Sequence, residues 1–257
     1  MTVNTHSVFM RKLLLVILLS ILAMTVRASG EVYRVGVENL SYYPLMDFNN
    51  EQSSSILKRI MEEFARSEGI TFEFIPLPIQ RFHEWYDGGA IDFRLPDNPY
   101  WTSQLDPDLK YSELVITLCA DVVTLAENQH MPAGQFTKLD TLYGFLPDKK
   151  WEEAVNTGEV ELVTDSSLKV LTRMLLNGMV DGLDLHISTI QREGAALGEP
   201  AQTFAVSTAF APSTLGYRLS TRQHPEVLAR FNTYLANEQN TIRHITDAFS
   251  FQQGCPD

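Results

Sequence analysis

Two stretches of the chain share one pattern: an amphipathic helix, a glycine, an Ile or Val followed by Asp, and then a short apolar strand. The first is Gly88-Gly89-Ala90-Ile91-Asp92-Phe93-Arg94-Leu95-Pro96-Asp97-Asn98-Pro99-Tyr100-Trp101. Its glycines stop a helix-like segment. Ile91, Phe93 and Leu95 then alternate with Asp92 and Arg94, as on a short buried strand, and a Pro/Asn/Asp turn leads into two aromatics. Gly178-Met179-Val180-Asp181 repeats the arrangement after a second amphipathic segment. A repeated helix–Gly-x-(Ile/Val)-Asp–strand unit points to two similar α/β lobes. Chance also supplies four-residue matches, and each glycine also fits an ordinary left-handed helix C-terminus. The sequence leaves both readings open.

The N-terminus reads as an export signal. Arg11 and Lys12 precede an apolar run from Leu13 to Thr25, and Val26-Arg27-Ala28, or Ala28-Ser29-Gly30, offers small residues for cleavage. The run is short for a membrane-spanning helix. An uncleaved anchor is the alternative. Residues 1–30 carry three basic and no acidic side chains, so their removal takes the formal net charge from −12 to −15. Such acidity argues against nucleic acid or an anionic membrane as a partner. The even cysteine count, Cys119 and Cys255, permits one disulfide in an exported chain, with two separate thiols as the alternative. The bond is favoured because Cys255, in the tail, has no other evident role.

Taken in order, Val32 to Val37 and Thr71 to Pro76 read as strands flanking a helix. Ser53 or Ser54 is its expected cap, Ile56, Leu57, Ile60, Met61 and Phe64 its apolar face, and Gly69 its stop. A short helix over Ile79 to Tyr86 leads into the Gly88–Trp101 stretch, completing a βαβαβ unit and implying a parallel sheet. Leu114 to Leu125 is an apolar run longer than an ordinary strand, as expected of a strand that leaves one lobe and enters another. Short helices are expected at Leu139 to Gly144 and Trp151 to Val155, and strands at Val160 to Val163, Val180 to Leu185 and Leu215 to Leu219. Asp165 is the expected cap of a helix from Ser166 to Asn177. A helix begins at Ile187, another spans Glu226 to Asn237 behind Pro225, and Thr241 to Phe249 closes the chain.

Motifs for nucleotide or dinucleotide binding, a nucleophile elbow, a Cys-x-x-Cys pair and a His pair with metal spacing are all missing from the sequence. No cofactor or metal is therefore expected. Of the scattered histidines, only His186 follows a strand where a βα loop would face a cleft. Asp92 and Asp181 are better suited to accept backbone N–H groups near a strand end than to act as catalysts.

With these features in place, the chain resembles the extracellular solute-binding proteins of family 3, the type II class best known as amino-acid receptors of ABC importers. The resemblance rests on Tyr33-Arg34-Val35-Gly36-Val37 with Tyr43-Pro44 behind it, Pro76-Leu77-Pro78-Ile79-Gln80-Arg81, Gly89-Ala90-Ile91-Asp92, Lys110-Tyr111-Ser112-Glu113, Gly178-Met179-Val180-Asp181 and Tyr217-Arg218-Leu219. It implies an α/β, two-lobed periplasmic binding protein type II fold with two crossing hinge strands. The first lobe would span residues 31–117, with 216–257 returning to it, and the second 118–215. In such a fold the tail returns to the first lobe, which would bring Cys255 towards Cys119 on the first crossing strand.

The implied function is capture of a small polar solute, amino-acid-like or an organic acid, between the lobes. The implied protein is a periplasmic monomer that is not an enzyme and that hands its ligand to an ABC permease. The alternatives are an enzyme on the same fold, of the cyclohexadienyl dehydratase kind, with His186, Glu38 and Asp184 as acid–base candidates, and a stand-alone sensor. Family receptors hold the ligand carboxylate with an arginine in a threonine-rich turn after the first Gly-x-(Ile/Val)-Asp, but Asn98 to Gln104 contains none. Where they carry an acid for the ligand amine, this chain has His186, with Asp184 nearby. The expected ligand-binding set is Glu38, Tyr42, Arg94, Tyr100 and Trp101 from the first lobe and Asp165, Ser166, Asp184 and His186 from the second. Arg94 would replace the missing arginine. The alternative is that Arg94 pairs internally with Asp92 or Asp97 and that Trp101 is lobe core.

Overall fold

The structure is a computed structural model and describes residues 30–49, 52–101, 106–145 and 149–255. The expected export signal lies, apart from Gly30, outside the described residues. In chain order the first part comprises β1 (Val32–Glu38), the short pair β2 (Ser41–Tyr42) and β3 (Met46–Asp47), α1 (Ile56–Glu68), β4 (Thr71–Leu77), β5 (Phe93–Asp97), β6 (Lys110–Tyr111) and β7 (Ile116–Ala120). The second part comprises β8 (Val122–Leu125), β9 (Lys138–Leu142), α2 (Glu152–Thr157), β10 (Glu161–Asp165), α3 (Leu168–Leu176), β11 (Gly182–Asp184), α4 (Ile187–Ala196) and β12 (Phe204–Val206). The chain ends with β13 (Ser213–Thr221), α5 (Pro225–Asn237) and α6 (Gln239–Ala248).

Two large sheets result, one per lobe, beside the two-stranded pair of β2 and β3. The first has the order β4-β1-β5-β13-β6. β1 runs parallel to both β4 and β5, as a βαβαβ unit requires. The second has the order β10-β9-β11-β8-β12. Apolar run and sheet change coincide: Asp121 interrupts the stretch from Leu114 to Leu125, β7 pairs antiparallel with β13, and β8 enters the second sheet against β11 and β12. β13 makes the reverse passage, pairing with β7 over Ser213–Tyr217 and with β5 and β6 beyond it.

Helical periodicity marks the faces that are buried. Ile56, Leu57, Ile60, Met61 and Phe64 of α1 are fully buried, and Phe64 packs against Phe231 and Tyr234 of α5. Gly69 ends α1 with φ +67°, a conformation that favours glycine. The cap positions differ from expectation. Ser55 precedes α1, and its hydroxyl is taken by the Asp47 amide rather than by the helix. Ser167 caps α3, and Asp165 sits two residues back, accepting the Ser167 N–H at 2.8 Å. The short helix expected over Leu139 to Gly144 is absent: residues 138–142 form the strand β9. This strand lies inside the second sheet with both faces covered, so it lacks the alternation that would reveal it.

The repeated Gly-x-(Ile/Val)-Asp has one structural role in both lobes. Asp92 Oδ2 accepts the Arg34 amide of β1 at 2.7 Å, and the Asp92 amide donates to the Arg34 carbonyl. Asp181 Oδ2 accepts the Thr137 and Lys138 amides at 2.7 and 2.8 Å, and its own amide donates to the Lys138 carbonyl. Each aspartate thus pins the start of a neighbouring parallel strand. Burial raises the Asp92 pKa, but the hydrogen bonds and charge of Arg34 outweigh it and hold the carboxyl below its usual range.

The C-terminal tail lies along the crossing strands. Gly254 donates to the Thr117 carbonyl, and Cys255 is disulfide-bonded to Cys119 of β7, 136 residues away. Loop-closure entropy for so long a loop is about 4–5 kcal/mol, an upper figure. Intact mass of the folded, unreduced protein after alkylation should show no modified thiol, and reduction should add two labels. Removing the bond by Cys255→Ser should lower the denaturation midpoint. Two freely alkylated thiols in the unreduced protein would exclude the bond.

Candidate functional site

The polar residues that converge sit where strands end. Glu38 closes β1, and the loop after it carries Tyr42 and Tyr43. Across the junction, β9 runs into Tyr143–Phe145, β10 ends at Asp165, β11 ends at Asp184, and His186 starts α4. Strand ends of open α/β sheets expose loops and helix N-termini to one crevice. Asp121 and Tyr217, on the crossing segments, complete the group.

Direct contacts hold the lobes against each other here. The Tyr42 hydroxyl accepts the His186 amide at 2.8 Å. Phe145 stands edge-on to Tyr42 with centroids 5.7 Å apart. The Arg192 guanidinium of α4 lies 3.7 Å over the Tyr43 ring, whose other neighbour is Phe249 from the tail. Phe251 packs on the His186 ring at 5.1 Å. Gly144 has φ +96°, and a Cβ there would collide with Ile79 of the first lobe, so only glycine permits this approach.

Burial dominates the electrostatics. Glu38 is 2% exposed, its Oε2 has no hydrogen-bond partner, and burial pushes its pKa up to about 8. Burial likewise raises the Tyr42 phenol, and nearby Asp184 and Asp121 push it further. Tyr217 is raised by burial and by the proximity of Tyr42 and Glu38. His186 is held neutral, its pKa lowered by burial to about 4. Its Nδ1 caps α4 by accepting the Ser188 amide at 3.3 Å. Asp121, also raised by burial, accepts the Ile187 amide at 3.3 Å. Asp140, on β9, is wholly enclosed, and neither oxygen has a well-formed hydrogen bond. Burial takes it up to about 7, the Thr141 amide pulling down and Asp165 pushing up.

Of the expected residues, Glu38, Tyr42, Asp184 and His186 come together. Trp101 is half-buried, edge-on to Tyr217 at 5.7 Å and to Phe82 at 5.9 Å. Asp165 and Ser166 lie at the start of α3, Ser166 exposed. Tyr100 is 75% exposed, on the outside of its turn. Arg94 is inside the first lobe. Its Nε donates to Asp97 Oδ2 at 2.8 Å, its Nη1 donates to the Phe82 carbonyl at 2.9 Å, and its Nη2 is 2.6 Å from Asp97. The guanidinium also lies 3.9 Å from the Phe82 ring centroid. The fork expected to meet a ligand carboxylate is thus already engaged. Sequence reasoning did not single out Asp121, Asp140 or Tyr217. Asp121 did leave a signal, as the one charge within the apolar run from Leu114 to Leu125. Among the described residues no cluster of His, Cys, Asp and Glu is arranged to hold a metal ion. A hollow of about 680 Å³ lies elsewhere, at the C-terminal ends of α3 and α4, lined by Arg173, Asn177, Leu197 and Glu199 among others.

The structure is similar to an ancestral arginine-binding protein bound to arginine, with TM-score 0.67 and 15% identity over 85% of this chain and 97% of that one. It is similar to the substrate-binding protein of an ABC uptake transporter from Streptococcus pneumoniae with bound histidine, with TM-score 0.68 and 14% identity over 85% and 92%. It is also similar to an ancestral amino-acid-binding protein that is a precursor of cyclohexadienyl dehydratase, with TM-score 0.62 and 16% identity over 85% and 95%. No protein-family model matches the sequence, and no curated protein matches it. The chain therefore has the two-lobed periplasmic binding protein type II fold. This is the fold that the resemblance to family 3 solute-binding proteins implies. Likeness at such identities establishes the architecture and leaves the ligand to the site itself.

Two measurements check this geometry. Tyr42→Phe removes the acceptor for the His186 amide, which stays buried, so the variant should lose about 1–3 kcal/mol in urea denaturation. Unchanged stability would show that the hydroxyl contributes nothing across the junction. Asp140 is raised in the folded state, so its unfavourable effect is absent below its unfolded pKa near 4 and grows as pH rises towards about 7. Asp140→Asn should therefore be more stable than wild type at pH 8 and gain nothing at pH 4. A difference independent of pH would refute the assignment.

Proposed function

We propose that this chain is an exported, periplasmic solute-binding protein that captures one small polar solute between its lobes and presents it to an ABC-type importer. The observation that carries the reading is the meeting of the buried side chains of Glu38, Tyr42, Asp121 and His186 with half-buried Asp184, where two sheets joined by crossing strands face each other. Buried polar groups are normally paired, and a cluster with an unpaired member in a crevice is an arrangement for a ligand. The neighbours bound to arginine and to histidine support the same reading. In this fold capture goes with closure of one lobe on the other by rotation about the crossing strands.

A second reading is favoured by one specific observation. Glu38 is a carboxyl kept protonated up to about pH 8 by burial, the state a general acid needs. Together with the likeness to a dehydratase precursor, this supports a periplasmic enzyme on the same fold. A stand-alone sensor differs from both only in lacking a permease, which neighbouring genes would reveal.

A thermal-shift screen of the purified chain against amino acids, sugars, amines and organic acids should find a stabilising solute. That solute should lower the radius of gyration in small-angle scattering and be recovered unchanged. Recovery of a dehydrated product would establish the enzyme instead. A shape unaffected by a saturating, stabilising solute would count against capture by closure.

A further inference from the structure

The proposed solute site contains a carboxyl left without a partner. Glu38 Oε2 is buried without a hydrogen-bond partner. Asp184 and Asp121 lie close enough to the Tyr42 hydroxyl to raise its pKa, and Glu38 does the same to Tyr217. The cations around the junction are engaged. Arg94 is locked to Asp97, Arg192 covers the Tyr43 ring, and Lys150 donates to the Ala120 carbonyl and is close enough to Asp121 to pull its pKa down. Backbone donors at the start of α4 are taken as well: the His186 amide by Tyr42, the Ile187 amide by Asp121 and the Ser188 amide by the His186 ring. A carboxylate arriving here would find these donors occupied.

Ring faces and edges make up the remaining wall. Tyr217 lies beside both Glu38 and Tyr42, Trp101 is edge-on to Tyr217, and Phe145 is edge-on to Tyr42. Aromatic faces attract cations most strongly where water is excluded. An unpaired carboxyl at the base of such a wall gives a charge-assisted hydrogen bond to an N–H donor.

Resting on the solute-capture reading above, we propose that the junction takes a small organic cation, an ammonium or guanidinium group seated against the Glu38 carboxyl and walled by Tyr42, Tyr217 and Trp101, and that it does not recognise a carboxylate. The ligand's charge replaces the missing partner of Glu38 and favours its ionised form.

The comparison that separates this from amino-acid recognition is agmatine against L-arginine, two molecules that share a guanidinium and differ in the carboxylate. Thermal shift and calorimetry on the whole mature chain should show both binding, with agmatine within a few-fold of L-arginine or tighter. Tetramethylammonium should give a weaker shift, and L-glutamate and succinate none. Glu38→Gln should keep the wild-type circular dichroism and weaken agmatine by about 10- to 100-fold, the range for losing one hydrogen bond to a charged group. Binding of L-arginine but not agmatine, or stabilisation by succinate or glutamate, would overturn the cation proposal and leave solute capture standing. Silence of the cations alongside a positive result in the broad screen would do the same. Silence of every solute would remove both. The agmatine and arginine comparison needs only the wild-type chain, so a variant that fails to fold does not rescue the idea.

Discussion

The antiparallel pairing of β7 with β13 is the interaction on which the rest of the molecule depends. Five consecutive residue pairs, from Ile116–Tyr217 to Ala120–Ser213, bind the two passages between lobes into one ribbon. A two-stranded ribbon resists sliding, because a one-residue slip would exchange its buried and exposed faces. It can still bend and twist. The ribbon thus fixes which ends of the two sheets face each other. Everything at the junction follows from that alignment: the Tyr42 hydroxyl meets the His186 amide, Ile79 meets Gly144, and Tyr217, itself a member of the ribbon, reaches the Glu38 carboxyl.

The tail reinforces the same ribbon. The bond from Cys255 to Cys119 and the hydrogen bond from Gly254 to Thr117 hold it along β7, and its Phe249 and Phe251 reach Tyr43 and His186. Attachment to the crossing strand rather than to either lobe face keeps those aromatics at the junction. Tying them there also covers the backbone that would otherwise be the edge of a narrow ribbon.

Burial puts polar groups into an environment that disfavours their charged forms. Glu38 and Asp140 are pushed towards neutrality, and so is His186, from the opposite direction. Carboxyls of this kind lower stability as pH rises through their range, whereas a neutral buried histidine lowers it as pH falls. A fold optimised only for stability would avoid such groups. Glu38 and His186 lie at the meeting of the lobes, whereas Asp140 lies within the second sheet.

Local rules expressed in the sequence were sufficient for most elements. The α1 face, the βαβαβ order, the change of sheet within Leu114–Leu125 and the two aspartates after Gly-x-(Ile/Val) depend on periodicity and near neighbours, and all are readable from the residues. β9 was not readable, because a strand covered on both faces has neither the alternation of a strand nor the spacing of a helix. Membership of the candidate site was legible only in part. Glu38, Tyr42, Asp184 and His186 sit at strand ends, which order alone reveals, but whether a side chain is available is decided by partners far away in the chain. Arg94 looks like a free guanidinium in sequence, and only the packed lobe shows its donors taken by Asp97 and the Phe82 carbonyl. The Tyr42 hydroxyl finds its partner 144 residues on. Sequence by itself determined the elements and their order, since those depend on short-range sterics and apolar period. Tertiary structure decided which polar groups were paired and which were left over, since hydrogen bonds and desolvation act only between groups that folding brings together.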